Sequence, residues 1–233
     1  ADGALISAFL ATVFLPTVVD LWVNGGGQRH APGEVILVRY ADDFVIGFRE
    51  ESDARNCLAA LAERLTKFGL ELHPEKTRLI EFGRYAEERR AKRGNGPPET
   101  FDFLGFTHIS GKTRRGDFTI HRKTSRKKFH AKLADLKEQL SRRRHDDLAQ
   151  VGAWLHSVYR GWCQYYAVPG NHTRLQQFRD AIQDRWLRTL RRRSQRGLRL
   201  TWEKFSKLCP CWLPTPKILH PYPNVRVACQ HPR

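Results

Sequence analysis

Asp42 and Asp43 are adjacent carboxylates placed between two short apolar runs, VILV at 35–38 and FVIGF at 44–48. Two β-type runs with acidic residues between them predict a hairpin whose tip carries both carboxylates. Carboxylate oxygens are the ligands that magnesium prefers, so this pair could bind a divalent cation. The alternative is a plain turn, because Asp side chains hydrogen-bond to nearby backbone and are frequent in turns.

The balance of charge suggests what a bound metal would act on. The 233 residues include 41 Lys and Arg but only 24 Asp and Glu, which gives a formal net charge of +17. An excess of this size favours a polyanionic partner, since neutralisation of phosphates releases their counterions. Attraction to a membrane surface is the competing interpretation. An acidic pair in so basic a chain therefore indicates metal-dependent chemistry on a nucleic acid.

Helices are predicted on either side of the hairpin. The apolar run 5–23 is interrupted by Pro16 and Asp20, which favours a buried helix over a membrane span. Apolar residues recur at helical spacing over 52–68, and Gly69 ends that helix. We therefore expect two helices to position the sheet that contains the acidic pair.

Short segments downstream complete the predicted sheet. A turn at 73–76 leads into a strand at 77–82, a charged loop follows at 84–99, and a further strand occupies 101–106. Strands and helices mixed in this order predict an α+β fold, with an antiparallel sheet and packed helices, rather than a regular βαβ series.

The composition shifts near residue 112, where basic residues become frequent and helical periodicity follows. Apolar residues recur every three or four positions around 129–140, 151–166 and 175–190. We predict an α-helical domain at 112–205 and an irregular, proline-rich tail at 206–233.

The tail also contains candidate zinc ligands. Cys209 and Cys211, with His220 and Cys229 downstream, could hold zinc, but their spacing is not that of a standard finger or knuckle. The five cysteines form no disulfide-like framework, so ordinary reduced thiols are the default expectation.

The segment VRYADDFVIG at 38–47 closely resembles the polymerase active-site motif of reverse transcriptases, particularly those encoded by group II introns. Other segments resemble the same family in the same order: GALISAFLATVFL at 3–15, LELHPEKTRL at 70–79 and FDFLGF at 101–106. Further along, YRGWCQYY at 159–166 resembles the core of the family's maturase-specific thumb region, domain X. The resemblance covers about residues 1–200. It implies the C-terminal part of a polymerase palm at 1–111 and a thumb or maturase domain at 112–205.

The resemblance further implies an RNA-directed DNA polymerase that uses two magnesium ions, with an RNA template, a DNA primer and a dNTP as partners. Asp42 and Asp43 would be its catalytic metal ligands. The residues implied at the nucleotide or the primer are Gly3, Tyr40, Ala41, Lys76, Leu104 and Gly105. For Lys76, an ordinary solvent-exposed lysine is an equal alternative.

The basic faces of the predicted helical domain suggest a second kind of contact. Arg pairs with phosphate and stacks on unpaired bases, which favours intron RNA or an RNA–DNA hybrid as the partner. The predicted RNA-binding residues are Arg142, Arg143, Arg144, Arg160, Arg188, Arg191, Arg192 and Arg193. The aromatic residues Trp154, Trp162, Tyr165 and Trp186 are expected instead in the helix core.

The family places its fingers and a further metal-binding aspartate before the point at which this sequence begins. We therefore expect an N-terminally truncated fragment that lacks one metal ligand and has little activity by itself. The alternatives are a non-catalytic RNA-binding maturase, whose palm is only a scaffold, and a decayed remnant. Because the first residues show no signal-type pattern, a cytoplasmic location, in a bacterium and away from membranes, is expected.

Overall fold

The computed structural model describes residues 15–25 and 34–222 of the chain. The chain divides into two compact units, Ala1–Glu81 and Phe82–Arg233. Both combine helices with antiparallel strand pairs, so the predicted α+β class is confirmed. No helix in the described residues is both long and apolar enough to span a bilayer.

The first unit contains a short helical segment, a two-stranded hairpin and one long helix. Their bounds are Pro16–Asp20 for a π-helical turn, Leu21–Gly25 for α1, Ile36–Tyr40 for β1, Asp43–Gly47 for β2 and Glu51–Lys67 for α2. The described part of the predicted helix 5–23 is therefore helical, and Val18 and Val19 are fully buried. Residues 5–14 of that prediction lie outside the described residues.

One face of the β1–β2 hairpin packs on the helices of this unit. The strands pair in antiparallel register with Leu37 opposite Ile46. Both side chains lie against a buried cluster that includes Val18 and Leu61. Because successive residues of a strand point to opposite faces, this packing fixes which side chains are left outward.

Helix α2 ends as the sequence predicts. Gly69 follows it with a φ of 70°, and its N–H donates to the carbonyl of Thr66 at 3.0 Å. The N–H of Leu70 reaches back to the carbonyl of Leu65 at 2.9 Å. This pair of bonds is a Schellman motif, which requires the left-handed conformation that glycine adopts without strain.

The strand predicted at 77–82 is wrong. Residues 77–80 have no regular structure, and no strand in the described residues pairs with them. A strand needs a neighbour for its backbone groups. Here the N–H of Thr77 donates instead to the carbonyl of His73 at 2.9 Å, which closes the predicted turn at 73–76.

The second unit contains a three-stranded sheet followed by helices. The bounds are Ala86–Lys92 for α3, Phe101–Phe103 for β3, Phe106–Lys112 for β4, Phe118–Thr124 for β5, Arg126–Arg142 for α4, Leu148–Tyr166 for α5, His172–Arg191 for α6, Gln195–Leu198 for α7, Trp202–Leu208 for α8 and Cys209–Cys211 for a 3₁₀ turn. The three long helices predicted from periodicity are therefore confirmed.

Two local predictions in this unit are corrected. The loop predicted at 84–99 contains α3, because Ala86 finds a buried position and Glu88 pairs with Lys92 one turn later at 2.7 Å. The strand predicted at 101–106 is two strands, β3 and β4, with Leu104 and Gly105 as the turn between them.

The sheet also continues past the boundary predicted at residue 112. Lys112 ends β4 and pairs with Phe118 of β5, and the helices begin only at Arg126. The two compact units divide after Glu81 instead. The assignment of 1–111 to a palm, 112–205 to a helical domain and 206–233 to a tail stays a prediction.

The core of the second unit lies among α4, α5 and α6. Its fully buried side chains include Leu136, Leu155, Phe178 and Trp186. A fully buried Asn171 ties this core to the sheet by three hydrogen bonds. Its amide nitrogen donates to Thr124 Oγ1 and to the carbonyl of Tyr166, both at 2.8 Å, and its oxygen accepts from the Thr124 N–H at 2.9 Å. A satisfied buried amide of this kind rigidifies the junction.

Candidate active site

The predicted acidic hairpin is present, and its connection is two residues long. Tyr40 ends β1 opposite Asp43, which begins β2, so Ala41 and Asp42 form the turn. Ala41 has a φ of 53°, in the left-handed region. That conformation costs a residue with a side chain about 1 kcal/mol, so neighbouring contacts must hold it.

The contact that holds this turn comes from Arg39. Its Nη1 donates to the Ala41 carbonyl at 3.0 Å. Its Nε and Nη2 form a bidentate pair with the two carboxylate oxygens of Asp20, each at 2.7 Å. The hydrogen bond to Asp20 raises the pKa of the Arg39 guanidinium, so its charge is secure. Asp20, through Arg39, therefore fixes the backbone at the base of the acidic pair.

The two carboxylates themselves are exposed and unneutralised. Within the described residues, neither the Asp42 carboxylate nor the Asp43 carboxylate has a side-chain hydrogen bond or an ion pair. The nearest cation in the sequence, Arg39, is committed to Asp20. The Asp42 and Asp43 carboxylates are therefore open to a cation from solvent, and carboxylate oxygens are the ligands that magnesium prefers.

Two exposed carboxylates fit the way in which magnesium binds to enzymes that act on nucleotides. Magnesium is held by one or two carboxylates, and substrate phosphates and water supply the other ligands. Across 15–25 and 34–222, no group of three or more His, Cys, Asp or Glu side chains is arranged to hold a metal. Asp42 and Asp43 supply two carboxylates, so a magnesium ion at this tip would need further oxygen ligands.

Beside Asp43, the outward face of β1 is apolar. Ile36, Val38 and Tyr40 are 59%, 49% and 65% exposed, and they alternate with inward residues along the strand. Since paired residues share a face, Tyr40 and Asp43 project from the same side of the hairpin. An exposed aromatic ring next to a carboxylate can contact a sugar or base while the carboxylate faces a phosphate-bound metal.

Two further residues predicted to contact the nucleotide or the primer, Lys76 and Gly3, belong to the first unit. Lys76 is exposed in the turn after His73, and within the described residues its ammonium group has no partner. Gly3 lies outside the described residues.

Leu104 and Gly105 form a second two-residue hairpin turn, in the second unit. Leu104 has a φ of 50° and Gly105 a φ of 76°. The Leu104 carbonyl accepts a hydrogen bond from Tyr165 Oη at 2.8 Å, and the Gly105 carbonyl accepts one from the Ser125 N–H at 2.9 Å. Leu104 and Gly105, predicted as primer contacts within one strand, thus form a braced turn between two strands.

Tyr165 departs from its expected place. It is 51% exposed, whereas Trp186 is buried and Trp154 and Trp162 pack against the core as expected. The ring of Tyr165 stacks on Phe106, with 5.7 Å between ring centroids.

Several of the predicted RNA-binding arginines are engaged within the protein. Arg143 stacks over Trp154 with 4.9 Å to the ring centroid, Arg191 donates to the Leu200 carbonyl and Arg193 to the His145 carbonyl. Ion pairs one helical turn apart occupy the exposed residues Arg142 and Arg188. Arg144 is half-buried and lies near Ser141.

Arg160 and Arg192 differ from the others. Both are exposed, and within the described residues no side-chain hydrogen bond or ion pair of their guanidinium groups is observed. Within the described residues, their guanidinium groups are therefore open to solvent.

The candidate zinc residues have other environments. Cys209 is buried, which raises the pKa of its thiol, whereas Cys211 is exposed. His220 Nε2 lies 2.7 Å from the Gln164 carbonyl oxygen. Cys229 lies outside the described residues, so the zinc alternative stays untested.

Comparison with known families places the acidic hairpin in a recognised context. Residues 2–108 match the family described as reverse transcriptase (RNA-dependent DNA polymerase). The match covers somewhat less than half of the chain, and it includes both hairpin turns and Lys76. It supports a nucleotidyltransferase of the RNA-directed DNA polymerase class for this segment. No curated protein matches the chain.

Sequence reasoning missed the residues that brace the two turns. Arg39 and its partner Asp20 are 19 positions apart, and Tyr165 and Leu104 are 61 apart. The one available signal is the isolated Asp20 in the apolar run at 5–23, because a carboxylate packed among apolar residues needs a cation.

Proposed function

We propose that this chain is part of an RNA-directed DNA polymerase of a group II intron-type retroelement, with a role as a maturase in splicing and mobility of the intron RNA. The observation that carries the polymerase proposal is that Asp42 and Asp43 are exposed at a braced hairpin tip, with no side-chain partner for either carboxylate in the described residues. That tip lies in the segment that matches the reverse transcriptase family.

In this proposal, each residue of the hairpin has a separate task. Asp42 and Asp43 present carboxylate oxygens to magnesium, which when bound activates the primer 3′-hydroxyl and stabilises the leaving pyrophosphate. Arg39 keeps the turn carbonyl in place, and Asp20 keeps Arg39 in place. Tyr40 lies on the same face as Asp43 and packs against the sugar or base at the primer end.

Lys76 and the Leu104–Gly105 turn have supporting tasks. The exposed ammonium group of Lys76 stabilises charge that develops on pyrophosphate. The turn contacts the primer strand through its backbone. Template RNA, DNA primer and dNTP are thus the proposed partners of these residues.

The decisive experiment is magnesium-dependent primer extension on an RNA template by the protein as its gene encodes it. Asp42→Asn preserves the shape of the side chain but removes its charge, so the metal is bound weakly and misplaced. We expect extension to fall about a hundredfold or more, the scale of a 1 Å error in placement.

Asp117→Asn is the matched control, because Asp117 is also an exposed aspartate next to a hairpin turn. It should extend primers at the unchanged rate. Equal rates for Asp42→Asn and the unchanged protein would contradict the metal-ligand assignment.

The maturase part of the proposal is supported by the YRGWCQYY segment and by the exposed guanidinium groups of Arg160 and Arg192, which have no partner among the described residues. We expect the affinity for structured RNA to fall steeply with salt. The double variant Arg160→Gln, Arg192→Gln should lower the slope of log affinity against log salt by about one per lost phosphate contact.

Arg49→Gln with Arg55→Gln is the control, since both exposed cations lie outside the predicted RNA-binding set and are paired with Glu34 and Glu51. A salt slope that is the same in the two double variants would argue against an RNA contact at Arg160 and Arg192. Strong RNA binding without any primer extension would favour the non-catalytic maturase alternative.

A further inference from the structure

The Leu104–Gly105 turn is held by residues that lie far from it in the sequence. A two-residue hairpin turn leaves its first carbonyl outside the strand ladder, and Leu104 adds the cost of a left-handed conformation. A turn of this kind needs a partner if it is to keep one conformation. The partner is supplied by the last two residues of helix α5.

Tyr165 supplies the hydrogen bond. Its Oη donates to the Leu104 carbonyl at 2.8 Å, although half of its side-chain surface is open to solvent. Its ring stacks on Phe106, the residue that follows the turn. This stacking restricts the side-chain rotamer of Tyr165, so that its hydroxyl group is directed at the turn.

Tyr166 limits the space around Gly105, the second residue of the turn. Its hydroxyl lies so close to Gly105 that a Cβ at that position would be only 2.8 Å from it. The Tyr166 ring is buried and meets Phe106 edge to face, with 5.1 Å between centroids. The turn is therefore enclosed between the two adjacent tyrosines and the Ser125 N–H.

We propose that Tyr165 and Tyr166 are positioning residues that hold the Leu104–Gly105 turn in the one backbone conformation that contacts a primer strand, with the Tyr165 hydroxyl as the decisive contact. The proposal rests on the polymerase function proposed above. It gives the end of α5, which lies beyond the segment that matches the family, a task in the same reaction.

The test compares Tyr165→Phe with the unchanged protein in two measurements. Phenylalanine keeps the ring on Phe106 and removes only the donor. Amide hydrogen exchange over 101–108 reports the turn, and KM for primer–template with kcat reports primer use. We expect turn amides to exchange roughly fivefold faster and KM to rise roughly fivefold at unchanged kcat, the scale of one lost hydrogen bond.

The split between KM and kcat separates positioning from stability. A purely structural loss would reduce the amount of active protein, so apparent kcat would fall while KM stayed the same. Tyr85→Phe is the control, because Tyr85 is an exposed tyrosine of the same unit, 56% exposed. It should leave both measurements unchanged, and Tyr165→Leu should exceed Tyr165→Phe in both.

Unchanged exchange at the turn in Tyr165→Phe would overturn the brace. Faster exchange with an unchanged KM would overturn its role in primer placement. Failure of the unchanged protein to bind primer–template would overturn the proposed function and the primer contact together. Faster exchange in Tyr165→Phe would in that case still support the brace itself.

Discussion

The Ala41–Asp42 and Leu104–Gly105 hairpin turns have a similar backbone conformation but differ in the side chains that surround them. In each, the first residue of a two-residue connection is a non-glycine residue at positive φ, Ala41 at 53° and Leu104 at 50°. In each, its carbonyl accepts one side-chain hydrogen bond, from Arg39 in the first and from Tyr165 in the second.

The difference lies in the next shell of contacts. The acidic turn is braced from within its own strand and from Asp20, and its carboxylates are left exposed. The Leu104–Gly105 turn is enclosed by Tyr165, Tyr166 and Ser125. A rigid backbone whose carboxylate side chains are exposed is suited to bind a metal ion. A rigid turn that neighbouring side chains enclose is suited to contact a nucleic-acid strand through its main-chain groups.

Gly105→Ala should have the largest effect on stability, because it places a side chain where the enclosed turn has no space. The cost combines a strained φ with a Cβ 2.8 Å from Tyr166 Oη, and about 2–4 kcal/mol is expected. Urea unfolding followed by tryptophan fluorescence measures it. Gly116→Ala is the matched control, since Gly116 has a φ of 88° with open space around it, and should cost about 1 kcal/mol.

A similar cost for the two glycine variants would break the comparison, since it would mean that the Leu104–Gly105 turn is no more enclosed than an open loop.

Asp20→Asn tests the brace of the acidic turn and should have an intermediate effect. The pair it weakens is bidentate and largely shielded, with Arg39 at 15% and Asp20 at 29% side-chain exposure. We expect a loss of about 1 kcal/mol in the stability of the first unit. Hydrogen exchange over 36–47 should accelerate, together with a fall in primer extension.

Arg49→Gln provides the control, because its ion pair with Glu34 is exposed on both sides, at 73% and 60%. Such a pair contributes little, so this variant should be close to neutral. If Asp20→Asn were equally neutral, the acidic turn would not depend on the Asp20–Arg39 pair.

The smallest expected effect is a pH dependence of stability that comes from His108 in the β3–β4 hairpin. Burial, and secondarily Arg122, lowers the pKa of His108, which stacks on Phe101 across the β3–β4 pair. His108 therefore binds a proton more readily in the unfolded chain than in the folded one. Stability should be full above about pH 6.5, the ordinary histidine value, and should decline as the pH falls below it.

His108→Phe preserves the stack on Phe101 without the titrating ring. Urea midpoints at pH 7.5 and 5.5 should differ less for this variant than for the unchanged protein. An identical acid sensitivity in both would assign the effect to other groups.

The sequence predicted the elements that local chemistry determines. The acidic hairpin, the glycine stop at Gly69 and the three long helices all follow from alternation, helical periodicity and turn residues. The acidic pair was also found, because its flanking runs carried the family's pattern.

The remainder depends on contacts across long sequence separations. The residue types at 77–82 predict a strand, but nothing in the local sequence says whether a neighbouring strand is present. Arg191 and Arg193 stay predicted nucleic-acid contacts, and the local sequence does not show that each also donates a hydrogen bond to a backbone carbonyl. Tyr165 was expected in the core, since a motif shows residue types and not which side chain faces solvent.

The hydrogen bond from Tyr165 to Leu104 also sets an order of events during synthesis. It joins residues 61 positions apart, so the turn emerges from the ribosome long before its partner does. Contacts of such separation form late, after the loop between them has been closed. The Leu104–Gly105 turn is therefore completed only when α5 has been synthesised and has docked, and a chain that stops short of Tyr165 would keep the strand pair without its fixed tip.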